Sequence, residues 1–521
     1  MRDAIPHGSA PQTGPAETRL TGRVPHSLRI TLDLLAVALF AAAAWRMATV
    51  SWGEVREPLD LVYETPNVRT IELFRAGLPI YAPQIYGNVP YVFTMYPPLY
   101  HALIAALPAD RVNPYATGRI VACIAMVSAA GMLVFVGCRK GLPTALLAIG
   151  SLWLFHPFTQ LAAFVKSDSL GLLFSLAAVV AVARAGNQSM DRPAAVGAAI
   201  LCALAVWTKH GHLAAPLACL MGLAVRGGPG LRYFLATGAV LAAVSLTVAA
   251  TAWGGDMLWC LAAGVGQPPS ASQFAAVWRA AASQPFFVVL FAVLHGQAIL
   301  LARYEGLRSR HAAYLWYLLA ADAVMLAGLG KPGSSVNYFF EPLLAGAACF
   351  VAARDSMPRA ATWPLAAVLV LTGGWELATA DPRHFDLRLL GCPAADVAGQ
   401  RDWIADKHAA AAERTAAVIA VTNPAPRILN LCNARFGRDL PGEISLSDPY
   451  LYGLLFASGS LPVDPLIARL DAGSFDGVLL PPDHDARQRR RSPALAALYA
   501  AVHRTYKPGA AAPGLVVWVR R

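Results

Sequence analysis

Apolar runs long enough to cross the roughly 30 Å of a bilayer's hydrocarbon recur along the chain as far as residue 378. They predict about eleven transmembrane helices, at 29–50, 118–137, 141–162, 169–185, 193–208, 213–225, 233–253, 285–302, 312–330, 338–353 and 360–378. The pattern changes in the loop between the first two spans, residues 51–117. It carries Glu54, Glu57, Asp60, Glu64 and Glu72, then Gly77-Leu78-Pro79-Ile80-Tyr81, then Tyr96-Pro97-Pro98-Leu99-Tyr100. Connections between packed helices are usually short, so a long loop bearing carboxylates reads as functional. Residues 97–108 are apolar but too short to span, and predict a re-entrant or interfacial helix. Residues 1–28 are polar and rich in Pro, Gly and Arg, the composition of a disordered cytoplasmic N-terminus. The run that follows is too long for a cleavable signal and lacks a clear small-residue cleavage site.

Beyond 378 the composition becomes that of a soluble α/β domain, 379–521. Its strand-like runs are Ala416–Val421, Phe475–Leu480 and Gly514–Val519, and its helical runs are Pro465–Asp471 and Pro493–His503.

Composition agrees with a chain held in lipid: 56% of residues are hydrophobic and 14% charged, against about a quarter charged in soluble domains. The net charge of +11 raises nucleic acid as a partner. Its distribution removes that reading. Arg19, Arg23 and Arg29, then Arg139 with Lys140, Arg184 with Arg192, Arg226 with Arg232, Arg303 with Arg308 and Arg310, and Arg354 with Arg359 fall in alternate short loops. That is the positive-inside pattern, which puts those loops in the cytoplasm and the first long loop outside. The fold class is an all-α polytopic membrane protein with a C-terminal extracytoplasmic α/β domain. Cys123, Cys202, Cys219 and Cys349 sit inside spans, and Cys392 with Cys432 is a candidate disulfide in the outer domain.

On this topology the polar residues gather on one side. Lys166-Ser167-Asp168 joins two apolar helices, and Thr208-Lys209-His210-Gly211-His212 joins another pair. The loop from Gly254 to Gln284 and the segment from Gly330 through Lys331, Asn337 and Tyr338 to Glu341 complete the set. Ionisable groups at membrane depth are costly, so their convergence suggests an anion site with a carboxylate beside it. Plainer readings stand next to it. Lys166 and Asp168 also read as a snorkelling ion pair, Lys331 as part of a helix connector, and Glu341 as a helix cap. The two histidines at 210 and 212 lack a clear third ligand, so no metal site is assigned.

The order of these motifs resembles the GT-C superfamily of integral-membrane glycosyltransferases, in the branch of the aminoarabinose-to-lipid A transferases and protein O-mannosyltransferases. The resemblance covers roughly residues 29–353 and rests on a set of motifs in the matching order. Glu64 with Asp60 stands for the first-loop carboxylate. Gly77 to Tyr81 and Tyr96 to Tyr100 stand for the turn and proline elements. Asp168 stands for the second-loop acid, Thr208-Lys209 for the Thr-Lys element, and Lys331 through Tyr338 for the late lysine loop.

The resemblance implies inverting transfer of a sugar from a polyprenyl-phosphate donor to a lipid, glycan or protein acceptor on the outer face of a membrane, the bacterial inner membrane being expected. Glu64, Asp60 and Asp168 are then the expected catalytic carboxylates, and Lys166, Lys209 and Lys331 the expected donor-phosphate ligands. Tyr81, Tyr96, His210, Asn337, Tyr338 and Glu341 are the expected substrate contacts. A carboxylate takes the acceptor's proton, and lysines stabilise the departing lipid phosphate. The family commonly has Asp or Asp-Glu where this chain has Glu64, so the choice of base between Glu64 and Asp60 is open. A divalent metal shared by Glu64 and Asp168 through oxygen ligands is also open. A transporter would show a repeated half and ionisable groups near mid-membrane; no internal repeat is visible, and the polar groups cluster at the outer edge. A non-catalytic scaffold of envelope glycan assembly is the other alternative. It has no reason to face a first-loop acid toward Asp168 and Lys209 across one cavity.

Overall fold

The computed structural model describes residues 25–521 apart from 61–63, 82–92, 110–112, 139–140, 185–191, 310, 358, 380–396, 423–425, 433–442, 446–448 and 483–491. Its first helices are α1 (His26–Arg56), α2 (Thr65–Arg75), α3 (Leu99–Ala105), α4 (Ala116–Gly137), α5 (Leu142–Leu154), α6 (His156–Leu161), α7 (Asp168–Arg184) and α8 (Arg192–Thr208). There follow α9 (Ala214–Arg226), α10 (Gly230–Ala252), α11 (Gly254–Val265), α12 (Ala271–Ala282), α13 (Pro285–Glu305), α14 (Ala312–Leu329), α15 (Phe340–Ser356) and α16 (Arg359–Thr379). Among the described residues, seven helices are long and apolar enough to cross a bilayer: α1, α4, α10, α13, α14, α15 with the 3-10 turn before it, and α16. The shorter helices α5, α7, α8 and α9 occupy the other four expected spans.

Burial orders the bundle. In α15 and its leading turn 89% of the apolar window is buried, against 11% in α10, so α15 is the axis and α10 lies at the periphery. Ala345, Ala347 and Ala348 are fully buried in α15. A methyl group at Gly346 would stand 2.9 Å from Leu294 Cβ of α13. Such small residues let helix backbones approach where lipid offers no competing drive.

Several boundaries depart from the sequence reading. Helix α1 starts at His26 and runs to Arg56, six residues into the expected loop. The expected span 141–162 is broken at Phe155, which adopts extended backbone (ψ 98°) just before His156-Pro157. Pro157 restricts the residue ahead of it and supplies no N–H, so the helix restarts as a separate short turn. The loop 254–284, read only as polar, folds into α11 and α12. The stretch 97–108 contains the seven-residue α3, too short to span.

One buried ion pair ties the first loop to this bundle. Arg119, in the first turn of α4, is completely buried with Glu64. Its Nε donates to Glu64 Oε1 at 3.0 Å and its Nη2 to Glu64 Oε2. The remaining N–H groups reach the carbonyls of Glu54 (2.6 Å), Glu57 (2.5 Å) and Leu59 (2.7 Å). All five guanidinium donors are therefore used. Glu64 Oε1 also accepts from the backbone N–H of Val165 at 2.7 Å. Asp60 caps the start of α2, taking the backbone N–H of Glu64 (2.9 Å) and of Thr65 (3.0 Å).

Beyond α16 come α17 (Val397–Ile419), α18 (Pro449–Ala457), α19 (Asp464–Asp471) and α20 (Pro493–Thr505). With them are β1 (Arg427–Asn430), β2 (Glu443–Ser445), β3 (Gly477–Leu480), β4 (Tyr506–Ala512) and β5 (Leu515–Arg520). The sheet order is β2-β1-β3-β5-β4, with β2, β1 and β3 parallel and β5 and β4 antiparallel. The run Ala416–Val421, expected as a strand, is instead the last turn of α17, to Ile419, and the turn after it. Its alanines are good helix formers, and only Val418 of this run is fully buried. Cys392, one half of the expected disulfide, lies outside the described residues. Cys432 Sγ donates to Asn430 Oδ1 at 3.3 Å.

The domain is fastened to the first loop. Tyr452, Leu455 and Phe456 of α18 share one apolar core with Ile80, Tyr81 and Phe93 and with Met257 and Cys260 of α11. His408 Nε2 on α17 meets Glu57 Oε1 at 2.8 Å.

Breaking the Arg119–Glu64 pair from one side leaves a buried charge uncompensated, which costs about 3–5 kcal/mol. Arg119→Met should therefore lower the thermal unfolding temperature in detergent sharply. Glu64→Leu with Arg119→Met should recover much of the loss. Additive losses in the double variant would remove the pair as the tie.

Candidate active site

At the end of the bundle where α7 and α15 begin and α8 and α14 finish, a cavity of about 270 Å³ opens. The basic loops sit at the opposite ends of these helices. Arg184 lies 3.9 Å over the Phe135 ring, and Arg226 donates to the carbonyl of Val182 at 2.8 Å. Arg139 and Lys140 themselves lie outside the described residues.

The charged lining of the cavity comes from helix termini and the turns beside them. The backbone turns at Lys166, whose N–H meets the Phe164 carbonyl at 2.7 Å, and Asp168 opens α7. A carboxylate is favoured there by the helix dipole. Lys209 and His210 follow the last turn of α8, and His212 N–H returns to the Lys209 carbonyl at 3.0 Å. Lys331 leaves α14, with Ser334 Oγ donating to the Leu329 carbonyl at 2.5 Å to close the turn. Asn337 and Tyr338 lie on the 3-10 turn and Glu341 in the first turn of α15.

The charged groups form two clusters. Lys209 Nζ is 2.7 Å from Asp168 Oδ1, and Asn337 Nδ2 donates to the same oxygen at 2.9 Å. Oδ2 of Asp168 accepts no hydrogen bond among the described residues. Deeper, Glu341 Oε2 meets His212 Nδ1 at 3.1 Å, and Tyr317 OH donates to Oε1 at 3.1 Å. Tyr96 links the clusters to the first loop: Lys209 Nζ lies 5.5 Å from its ring and His210 stacks on it at 6.1 Å.

Lys166 and Lys331 line the same cavity and make no ion pair among the described residues. Burial lowers the pKa of Lys166 despite the nearby Asp168. Burial, with Lys209 adding repulsion, pulls that of Lys331 down to about 8. Lys209 moves the other way, raised by Asp168 against its own burial. His210 falls to about 4, through burial and then the two lysines at 331 and 209. Burial is the leading cause at Lys166, Lys331 and His210, and neighbouring cations add to it at Lys331 and His210.

Nine of the twelve expected site residues thus line one cavity: Asp168, Lys166, Lys209, Lys331, Tyr96, His210, Asn337, Tyr338 and Glu341. Three do not. The Glu64 carboxylate is closed behind the wall by Arg119 and Val165. Asp60 borders a separate cavity with Asp406 and Lys407 of α17. Tyr81 OH donates to the Tyr96 carbonyl at 2.6 Å, so it positions a lining residue from outside. In their place the first loop contributes Asn67, one turn after Glu64, held by the Val165 carbonyl (2.8 Å) and His101 (3.2 Å). The helical spacing of residues 64 and 67 was the available signal. Leu454 of α18 also lines the cavity, a contact with no local mark in sequence. Among the described residues no three His, Cys, Asp or Glu side chains group as metal ligands.

The chain matches no protein-family model and no curated protein. Solved structures do share its architecture. ArnT from Cupriavidus metallidurans in the apo state matches at TM-score 0.59 and 13% identity, over 92% of this chain and 97% of that one. The same protein bound to undecaprenyl phosphate matches at 0.56 and 12% identity, over 95% and 98%. An apo oligosaccharyltransferase from Archaeoglobus fulgidus matches at 0.51 and 13% identity, over 93% of this chain and 74% of that one. The chain has the GT-C fold. At such identity the likeness speaks for architecture, and the chemistry has to be argued from the cavity that this GT-C fold encloses.

The lysines should be separable by competitive acylation of the purified protein across pH, read by peptide mass spectrometry. Lys331 should react with a midpoint near pH 8, while Lys209, held charged by Asp168, stays protected. An ordinary surface-lysine profile at Lys331 would contradict the electrostatics described.

Proposed function

We propose that the protein is a membrane glycosyltransferase that takes its sugar from a polyprenyl phosphate and transfers it with inversion to a lipid, glycan or protein acceptor. The observation that carries this reading is the convergence of three lysines and two carboxylates in one cavity at one end of an apolar bundle. Its volume of about 270 Å³ lies at the small end of ligand pockets, which span roughly 300–1,000 Å³. That suits one sugar ring and its phosphate better than an oligosaccharide. The ArnT structure with undecaprenyl phosphate supports the choice of a lipid phosphate for this fold.

Lys166 and Lys331 are the groups a phosphate would relieve, since each bears a charge that burial disfavours. As the anomeric C–O bond breaks, its electron pair passes to the phosphate oxygen, where these ammonium groups stabilise the added charge. The base is assigned to Asp168. Lys209 and Asn337 fix one of its oxygens and leave the other for the acceptor's proton. Both oxygens of Glu341 are already held, which suits it to orient a sugar hydroxyl. Glu64 and Asp60, expected as the base, are assigned positioning roles. A carboxylate enclosed by a guanidinium has no path to an acceptor.

The test is to incubate the purified protein with a panel of polyprenyl-phosphate sugars and a membrane extract as acceptor, and to measure released lipid phosphate. Asp168→Asn should keep undecaprenyl phosphate binding and lose transfer by about 10²–10⁴-fold. Near-wild-type transfer in that variant would show that the base lies elsewhere.

Lys331→Ala should weaken undecaprenyl phosphate binding by about tenfold or more. Because charged Lys331 is the binding form, wild-type affinity should fall as pH rises through about 8. Lys331→Arg, which stays charged, should flatten that fall. A pH profile unchanged by Lys331→Arg would remove Lys331 from the phosphate site.

A further inference from the structure

Two rings of the cavity wall are seated in helices at glycine. The Tyr338 ring lies against Gly328 of α14 so closely that a Cβ there would stand 2.1 Å from Cε1 and 2.7 Å from Cδ1. On the facing wall, a Cβ at Gly171 of α7 would stand 2.1 Å from His212 Cδ2 and 2.2 Å from Nε2. Neither glycine has a positive φ, so neither is required by its backbone. Gly328 is the second-last residue of α14 and Gly171 lies in the first turn of α7, so what distinguishes both positions is the room that the missing methyl leaves. Here it matters to the cavity: both rings line it, and both would be driven toward its interior by the helix behind them.

We propose that Gly328 and Gly171 are specificity-determining positions that recess Tyr338 and His212 into the walls and thereby set the size of sugar the cavity admits. This inference rests on the donor reading given above and adds to it the residues that limit the sugar. Ordinary carbon contacts lie near 3.5–4.0 Å, so a methyl at residue 328 would displace the tyrosine ring by about 1.5 Å. In a cavity of about 270 Å³ that displacement competes with the exocyclic carbon and hydroxyl by which a hexose exceeds a pentose. Tyr338 is the cleaner gauge. His212 also holds Glu341, so crowding it would change chemistry as well as space.

The experiment measures binding of three probes to the full-length protein in lipid nanodiscs: undecaprenyl phosphate, an undecaprenyl-phosphate pentose and an undecaprenyl-phosphate hexose. Gly328→Ala should leave undecaprenyl phosphate affinity within about twofold and lower the hexose-to-pentose affinity ratio by about tenfold or more, the scale of one misplaced carbon in a fitted pocket. Adding Tyr338→Ala to Gly328→Ala should restore the ratio, because the displaced ring is then absent. A ratio unchanged by Gly328→Ala, or a loss not reversed in the double variant, overturns the gauge while leaving the donor reading intact. A wild-type protein that binds none of the three probes overturns the donor reading, and the gauge with it.

Discussion

The placement of the cavity depends on one fully buried guanidinium. Arg119 stands at the first turn of α4 and holds three carbonyls and a carboxylate from residues 54–64, at and just beyond the end of α1. Through Glu64 the same network reaches the N–H of Val165, the residue before Lys166. Taking such a pair out of water is expensive, and attraction offsets the cost only when every donor and lone pair is engaged. Here all five donors are. The network therefore sets the distance between the first loop and the turn that carries Lys166 and Asp168, without contributing a group to the cavity.

The cavity resolves a tension that membrane sites share. Charges near hydrocarbon are costly, yet a lipid phosphate can be met only at that depth. The chain spreads its positive groups over three helix termini and neutralises only part of them. Lys209 is stabilised by Asp168, while Lys166 and Lys331 are left disfavoured. An anion reaching these two lysines would relieve that cost, which is the basis of the phosphate-binding proposal.

The C-terminal sheet is joined to this arrangement by apolar packing. Residues of α18 complete the core under which the first loop folds, and Leu454 reaches the cavity itself. Phe93 stands edge-on to both Tyr452 (6.4 Å) and Trp259 (5.8 Å), linking sheet domain, loop and α11 through one ring. Movement of the domain would be felt at Met95 and Tyr96, two and three residues along from Phe93.

Hydrophobic periodicity and charge alternation determined the polytopic bundle, the long first loop, the short helix at 97–108 and the C-terminal α/β composition. They did so because lipid leaves a chain few ways to satisfy its backbone. The same pattern brought nine site residues to one end, since ionisable groups in apolar surroundings are readable wherever they fall. Only the tertiary structure decided which carboxylates face the cavity. Glu64 and Asp168 look alike in sequence as acids beside apolar helices, and what separates them is a guanidinium 55 residues away from Glu64. Local pattern carries no information about such a partner. The same holds for Leu454, and for the glycines whose missing methyl groups make room for rings more distant in the chain. Burial and pairing are properties of the folded contact, and no local pattern in the sequence carries them.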